Sequence, residues 1–247
     1  MTEIRKSISI ACVALLAVAA LIAEPAQLQA PEINLDKATP QEFLNAVREP
    51  LRTDAWGEIN GRITHAAKNR DNNLKGEIRV RITFAKQSLH AQIVLNDKNV
   101  YALEQANASG KNTSIKLDFP KDEAKPSLFD FGLEPEDLTF AFIYWDFIEE
   151  LPRVESRMRD CRIMRLADPT GKGGTVLVWF DTRHGFPMEA QWFEKNAQAP
   201  WRKLELKGAK RHKNGLWFVK EMRLEAIDKS WKTQVKFDHA EINPVEN

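Results

Sequence analysis

Two cysteines in 247 residues leave nothing to staple the fold from within. Cys12 lies inside an apolar N-terminal run, and without it Cys161 has no partner for an internal disulfide. The stability of the domain has to come from its core, even in an oxidising compartment. Net charge is missing as well. The chain carries 36 basic and 35 acidic residues, and residues 1–23 hold Arg5, Lys6 and Glu3, which leaves 34 of each sign. Balanced, interspersed charge argues against nucleic acid or an anionic membrane surface as a partner. Beyond residue 23 the longest apolar run is Leu138–Trp145, eight residues, where a spanning helix needs about 20. Pro/Ser/Gly-rich linkers and fixed-period repeats are absent too, so the remainder reads as one domain.

Catalytic signatures are also lacking. His65, His90, His184, His212 and His239 are scattered, with no H-x-x-x-H or Cys/His spacing, so neither a metal site nor a cofactor is expected. Gly171-Lys172-Gly173-Gly174-Thr175 lacks the upstream glycine and the Ser/Thr of a phosphate loop, and it precedes a strand; it reads as a hairpin turn. No G-x-S-x-G elbow occurs. Cys161, between Asp160 and Arg162, reads as a buried strand cysteine. The expected protein is therefore not an enzyme.

What is present begins with residues 1–23: a basic start, then sixteen residues, Ile8–Ala23, broken only by Ser9. That is the pattern of a secretory signal, cut after Ala23 or Ala30, with an uncleaved inner-membrane anchor as the alternative. Residues 24–38 read as a tether and 39–247 as the domain. A helix is predicted from Thr39 as N-cap, Pro40 at the first helical position and Glu42 three residues after the cap, ending at Asp54. Leu44, Val47 and Leu51 form its apolar stripe.

From Trp56 the period becomes two. Ile78, Val80, Ile82 and Phe84 alternate with Arg79, Arg81 and Thr83, the cleanest one-sided strand in the chain, and Leu89, Ala91, Ile93 and Leu95 follow. A short helix is expected near Pro135. Leu138–Trp145, apolar on both faces, reads as a strand covered on both sides. Later strands, with turns at residues 168–171, 184–185 and 214–215, complete an antiparallel meander. Within Leu216–Leu224 the apolar phase shifts near Lys220–Glu221, which points to a bulge and a bent strand.

Several ordered stretches resemble the LolA-like outer-membrane lipoprotein-sorting proteins. They are Leu133-Glu134-Pro135-Glu136-Asp137-Leu138 running into Phe142-Ile143-Tyr144-Trp145, then Arg159–Leu166, Val178-Trp179-Phe180-Asp181, Gly185–Ala190 and Gly215–Met222. The resemblance implies a mainly β (α+β) fold: a single-domain half-open antiparallel β-barrel, its apolar concave face covered by an N-terminal helix and a short second helix. It also implies a monomeric periplasmic carrier of lipoprotein or lipid acyl chains, with inner-membrane donor and outer-membrane acceptor proteins as partners. The Arg-Pro-Gly stretch whose arginine latches the lid in such carriers is missing, so no latch is assigned to Arg79 or Arg81.

On this reading the hydrophobic ligand-binding wall consists of Ile78, Val80, Ile82, Phe84, Leu89, Ile93, Leu95, Phe140, Phe142, Met188 and Trp192. Leu44, Val47 and Leu51 form the inner side of the lid. Seven tryptophans suit either a lined cavity or ordinary core packing. At about 0.8 kcal/mol per buried methylene, several tens of methylenes would give ample affinity, so the lid would control release. Two other readings stay open: an envelope lipid-sensing adaptor of the same fold acting through a protein partner, and a hydrolase built from carboxylates or histidines gathered in one cleft.

Overall fold

The computed structural model describes residues 34–48, 55–68, 73–85, 88–106, 114–169, 174–208, 210–211 and 217–244. The signal and most of the tether, Leu51, Asp54, Gly171–Gly173 and the turn at Asn214-Gly215 lie outside the described residues. Helix α1 spans Pro40–Arg48. Its start is a closed capping box: the Thr39 N–H donates to Glu42 Oε2 at 2.8 Å, and the Glu42 N–H donates to Thr39 Oγ1 at 3.3 Å. The residues that α1 buries completely are Phe43 and Leu44.

The strands are β1 (Ala55–Ala67), β2 (Leu74–Ala85), β3 (Ser88–Leu95), β4 (Asn99–Ala106) and β5 (Ser114–Asp118), followed after a helical segment by β6 (Asp146–Ser156), β7 (Arg159–Ala167), β8 (Thr175–Asp181), β9 (Pro187–Phe193), β10 (Arg202–Lys207), β11 (Lys210–Arg211), β12 (Trp217–Phe218), β13 (Glu221–Ala226) and β14 (Trp231–Pro244). Twelve of them form one open antiparallel sheet in the order β5-β4-β3-β2-β1-β14-β13-β10-β9-β8-β7-β6, while β11 and β12 pair separately. This is a half-open β-barrel with helices on its concave side.

The two halves of the sheet are joined by β1 and β14, paired from Ala55↔Pro244 to Ala67↔Trp231 with a register shift at Asn60/Gly61. One face of β2 and β3 is dry, with Ile78, Val80, Ile82, Leu89, Ala91, Ile93 and Leu95 all buried. Arg79, Arg81 and Thr83 are exposed on the other face.

Leu138–Trp145 is not a strand. Helix α2 spans Pro135–Thr139, where Glu134 and Asp137 close a capping box around Pro135. Phe140 then turns left-handed at φ 54°, and Ala141–Tyr144 form a 3₁₀ turn. The segment is apolar all round because it lies inside the trough, with Leu138, Ala141, Phe142, Ile143 and Tyr144 all buried. A run enclosed on every side has the same apolar signature whether it is helical or extended, and periodicity does not separate the two.

The phase shift near Lys220 is a full interruption between β12 and β13. There the Lys220 N–H donates to the Lys207 carbonyl at 3.2 Å, and the Phe237 N–H donates to the Lys220 carbonyl at 2.8 Å. The result is that Val219 and Met222, three residues apart, are both buried.

At the register shift the backbones of β1 and β14 approach so closely that a Cβ on Gly61 would collide with the Lys236 carbonyl oxygen. Replacing Gly61 by Ala is expected to destabilise the protein by about 2 kcal/mol, since backbone cannot move aside as a side chain can. Thermal unfolding should show a Tm lower by about 4–8 °C for a domain of this size; an unchanged Tm would contradict the close approach.

Candidate functional site

The connection between the two free edges of the sheet, residues 119–145, crosses the concave side and together with α1 forms its cover. Three guanidinium groups fix that cover. Arg162 on β7 is completely enclosed, forks onto both oxygens of Glu150 at 2.7 Å, and donates to the Leu35 and Ala38 carbonyls at 3.0 and 2.8 Å. Its guanidinium also lies 4.5 Å from the centre of the Phe43 ring, so it binds both the approach to α1 and the face of the helix.

Arg202 on β10 holds α2. It pairs with Asp137, the side chains being 3% and 2% exposed, and it donates to the Gly132 carbonyl at 3.0 Å. Trp192 and Trp201 flank it at 5.1 and 5.7 Å. A buried charge pair of this kind is strongly destabilising to break, because either partner left alone is an uncompensated charge.

Arg48, at the end of α1, joins the two parts of the cover. Its Nε donates to the Ile143 carbonyl at 2.8 Å and its Nη2 to the Trp145 carbonyl at 2.7 Å. By contrast, Arg79 and Arg81 form exposed ion pairs with Asp97 and Glu58 on the outer face.

Between wall and cover lies an apolar cavity of about 240 Å³. The wall supplies Gly57, Ile59, Ile82, Phe84, Leu89, Val219, Met222 and Phe237. The cover supplies Ala46 and Val47 from α1, Leu138 and Thr139 from α2, and Phe140, Ile143 and Tyr144 beyond it; His184, Gly185 and Phe186 complete the lining. His184 Nδ1 lies 3.3 Å from Asp181 Oδ2. Burial alone would raise the Asp181 carboxyl, but the Arg183 N–H, His184 and Arg159 outweigh it and hold it below the usual carboxylate range. Burial pushes the Tyr144 hydroxyl well above its ordinary value, so it is neutral at any physiological pH. The cleft among Arg62, Lys75 and Glu77 is lined mainly by charged and polar side chains.

Of the wall residues expected from sequence, Ile82, Phe84, Leu89 and Phe140 line this cavity, as does Val47 of the expected lid. Ile78, Val80, Ile93 and Leu95 are packed in the core, and Met188 is half-buried against it. Phe142 and Trp192 are packed on each other edge to face at 5.2 Å. Leu44 is buried, and Leu51 lies outside the described residues. The available space is smaller than several tens of methylenes require, because Phe43, Leu44, Leu138 and Phe142 of the cover already fill much of the trough.

Sequence reasoning missed Arg48, Arg162 and Arg202. A signal existed for two of them: Arg162 is in phase with Met164 and Leu166, and Arg202 with Leu204 and Leu206. A lone charge in step with the buried set marks an ion pair reaching inward. Among the described residues no three His, Cys, Asp or Glu side chains gather where a metal ion could be held. Nor is any described helix long and apolar enough to cross a membrane.

This open antiparallel barrel is a fold shared with solved structures that include a LolA superfamily protein. A DUF1329 family protein from Desulfovibrio piger superposes with a TM-score of 0.65 at 14% identity, over 83% of this chain and 92% of that one. A putative outer membrane lipoprotein-sorting protein domain from Vibrio parahaemolyticus gives 0.58 at 10% identity, over 82% and 93%. A LolA superfamily protein from Nitrosomonas europaea gives 0.58 at 10% identity, over 85% and 96%. No family model matches the sequence, and no curated protein does. The resemblance noted in the sequence therefore holds at the level of fold, over more than four-fifths of the chain.

Glu136 gives the cover a pH dependence. Burial, reinforced by Glu134 and Asp137 and opposed by Arg202, pushes its carboxyl from 4.5 up to about 7. The folded protein thus keeps a proton that the unfolded chain releases near 4.5, so the contribution of Glu136 to stability is fully present below that pH and is lost as pH rises to about 7. Denaturant titrations should show a loss of about 2 kcal/mol across this window, abolished in Glu136→Gln. A flat profile in the wild type would refute the raised titration of this half-buried carboxyl.

Proposed function

We propose that this protein is a periplasmic carrier that shelters acyl chains of lipoproteins or lipids in the cavity beneath the cover and sorts them toward the outer membrane. The observation that carries the reading is the aromatic and aliphatic cavity between β2, β3 and the cover. A pocket of this composition gains affinity from removal of methylenes from water. The likeness in fold to a lipoprotein-sorting domain supports the same reading. So does the N-terminal export pattern of the sequence.

In this mechanism the protein performs no covalent chemistry. The cover lifts to admit a chain, closes over it against the wall, and lifts again to let it go. Arg48 is the element that sets the balance, since its two hydrogen bonds to the Ile143 and Trp145 carbonyls exist only while α1 and the 3₁₀ turn are together. A donor in the inner membrane and an acceptor in the outer membrane would each engage the protein with the cover raised.

One observation favours the second reading, an envelope lipid-sensing adaptor. Phe119 and Phe129 are 51% and 47% exposed, with rings 5.8 Å apart, beside the free edge at β5. Exposed aromatic side chains at an unpaired edge are a place for a protein partner to add a strand.

Mass spectrometry of lipid extracted from the protein purified from envelopes tests the proposal. A carrier yields acyl lipid at near-stoichiometric amounts, and Arg48→Ala should release it about tenfold faster. An empty protein that captures a membrane-anchored partner, with capture lost in Phe119→Ser/Phe129→Ser, would replace the carrier reading by the adaptor.

A further inference from the structure

The size of the cavity and the exposure of its described lining set a narrower limit on its ligand. We infer that in the covered conformation the site takes one acyl chain of about ten carbons, its polar head beside His184, rather than the several chains of a lipoprotein anchor. This rests on the carrier reading and deepens it.

Volume is the first ground. An apolar protein cavity of about 150 Å³ holds benzene, six carbons. In proportion, the about 240 Å³ here holds roughly ten. Two chains side by side do not fit without moving the cover, and the cover is fixed by Arg162, Arg202 and Arg48.

The second ground is the distribution of exposure around the lining. Its other members are buried or half-buried, whereas His184 is exposed, its side chain 32% accessible. His184 is therefore the most solvent-exposed point of the described lining, and a chain whose head lies there reaches Ile82, Phe84 and Leu89 across the cavity. Polar atoms lie at the same end, where Asp181 holds the imidazole and is itself held by Arg159 and the Arg183 N–H. A head that keeps its hydration belongs at this end, because any deeper position would bury it against aromatic carbon.

The test is the affinity of straight-chain alkanoic acids from six to sixteen carbons, with the monoacylglycerol of the ten-carbon acid as a second arm, measured calorimetrically on the full-length protein. Affinity should rise about fourfold per methylene up to about ten carbons and then level or fall. Ala46→Phe, which adds a ring from the cover side, should shift the optimum to shorter chains. Phe84→Ala should shift it to longer ones, by two to four carbons.

Binding of the acid and of the glycerol ester with the same optimum supports recognition of the chain itself. A rise that continues unbroken to sixteen carbons overturns the single-chain limit and leaves the carrier reading standing. If no chain binds to the wild type or to Phe84→Ala, both fall.

Discussion

The two free edges of the open sheet, β5 and β6, are consecutive in the chain, and everything else about the concave side follows from that constraint. The connection between them has to travel from one rim of the trough to the other. The shortest way across lies over the concave face, and backbone that crosses there leaves water and must satisfy its own polar groups. Residues 119–145 do so with short helical turns: the 3₁₀ turn at Phe129–Phe131, α2, and the 3₁₀ turn at Ala141–Tyr144. A cover is thus a product of strand order. A closed barrel would have no edges to connect and no face left open for a ligand.

The cover is held by charge reaching out of the wall, while apolar contact supplies the bulk of the burial. Arg162 and Arg202 project from sheet strands, one to α1 and the segment before it and the other to α2 and Gly132. Apolar packing alone is non-directional and would let the cover slide over the wall. Directional guanidinium hydrogen bonds fix its position, and at Arg202 and Asp137 they form a buried ion pair, which is better suited to positioning than to adding net stability. Arg48 differs in that both ends of its bridge are on the cover, so it can be broken without exposing a charge pair in the wall.

The sheet was legible in the sequence because strands such as β2, β3 and β4 have one wet face. Ile78-Arg79-Val80-Arg81-Ile82 states its period and its buried side without ambiguity, and the alternation of β2, β3 and β4 is recovered in the burial of their residues. The start of α1 was legible for a different reason: Thr39, Pro40 and Glu42 act locally, and no tertiary contact overrides them. The cover was not. Leu138–Trp145 is enclosed on all sides, so its hydrophobicity carries no period, and the decisive features, the capping box at Glu134 and the left-handed Phe140, are backbone events. The cavity was only partly legible, since alternation tells which residues point inward but not which of them the cover reaches first. Ile82, Phe84 and Leu89 remain at the cavity, whereas Ile78, Val80, Ile93 and Leu95, in phase with them on the same strands, are packed in the core.

The central claim is spatial: a fatty chain lies between the inner face of β2 and β3 and the segment Leu138–Tyr144. A decanoic acid carrying a diazirine at its terminal carbon, photolysed on the protein and mapped by peptide mass spectrometry, measures this directly. The account predicts covalent adducts confined to Ile82, Phe84, Leu89, Leu138, Phe140 and Ile143, with competition by unlabelled acid. Adducts on the outer face around Arg79 and Arg81, or spread along the edge at β5, would contradict it.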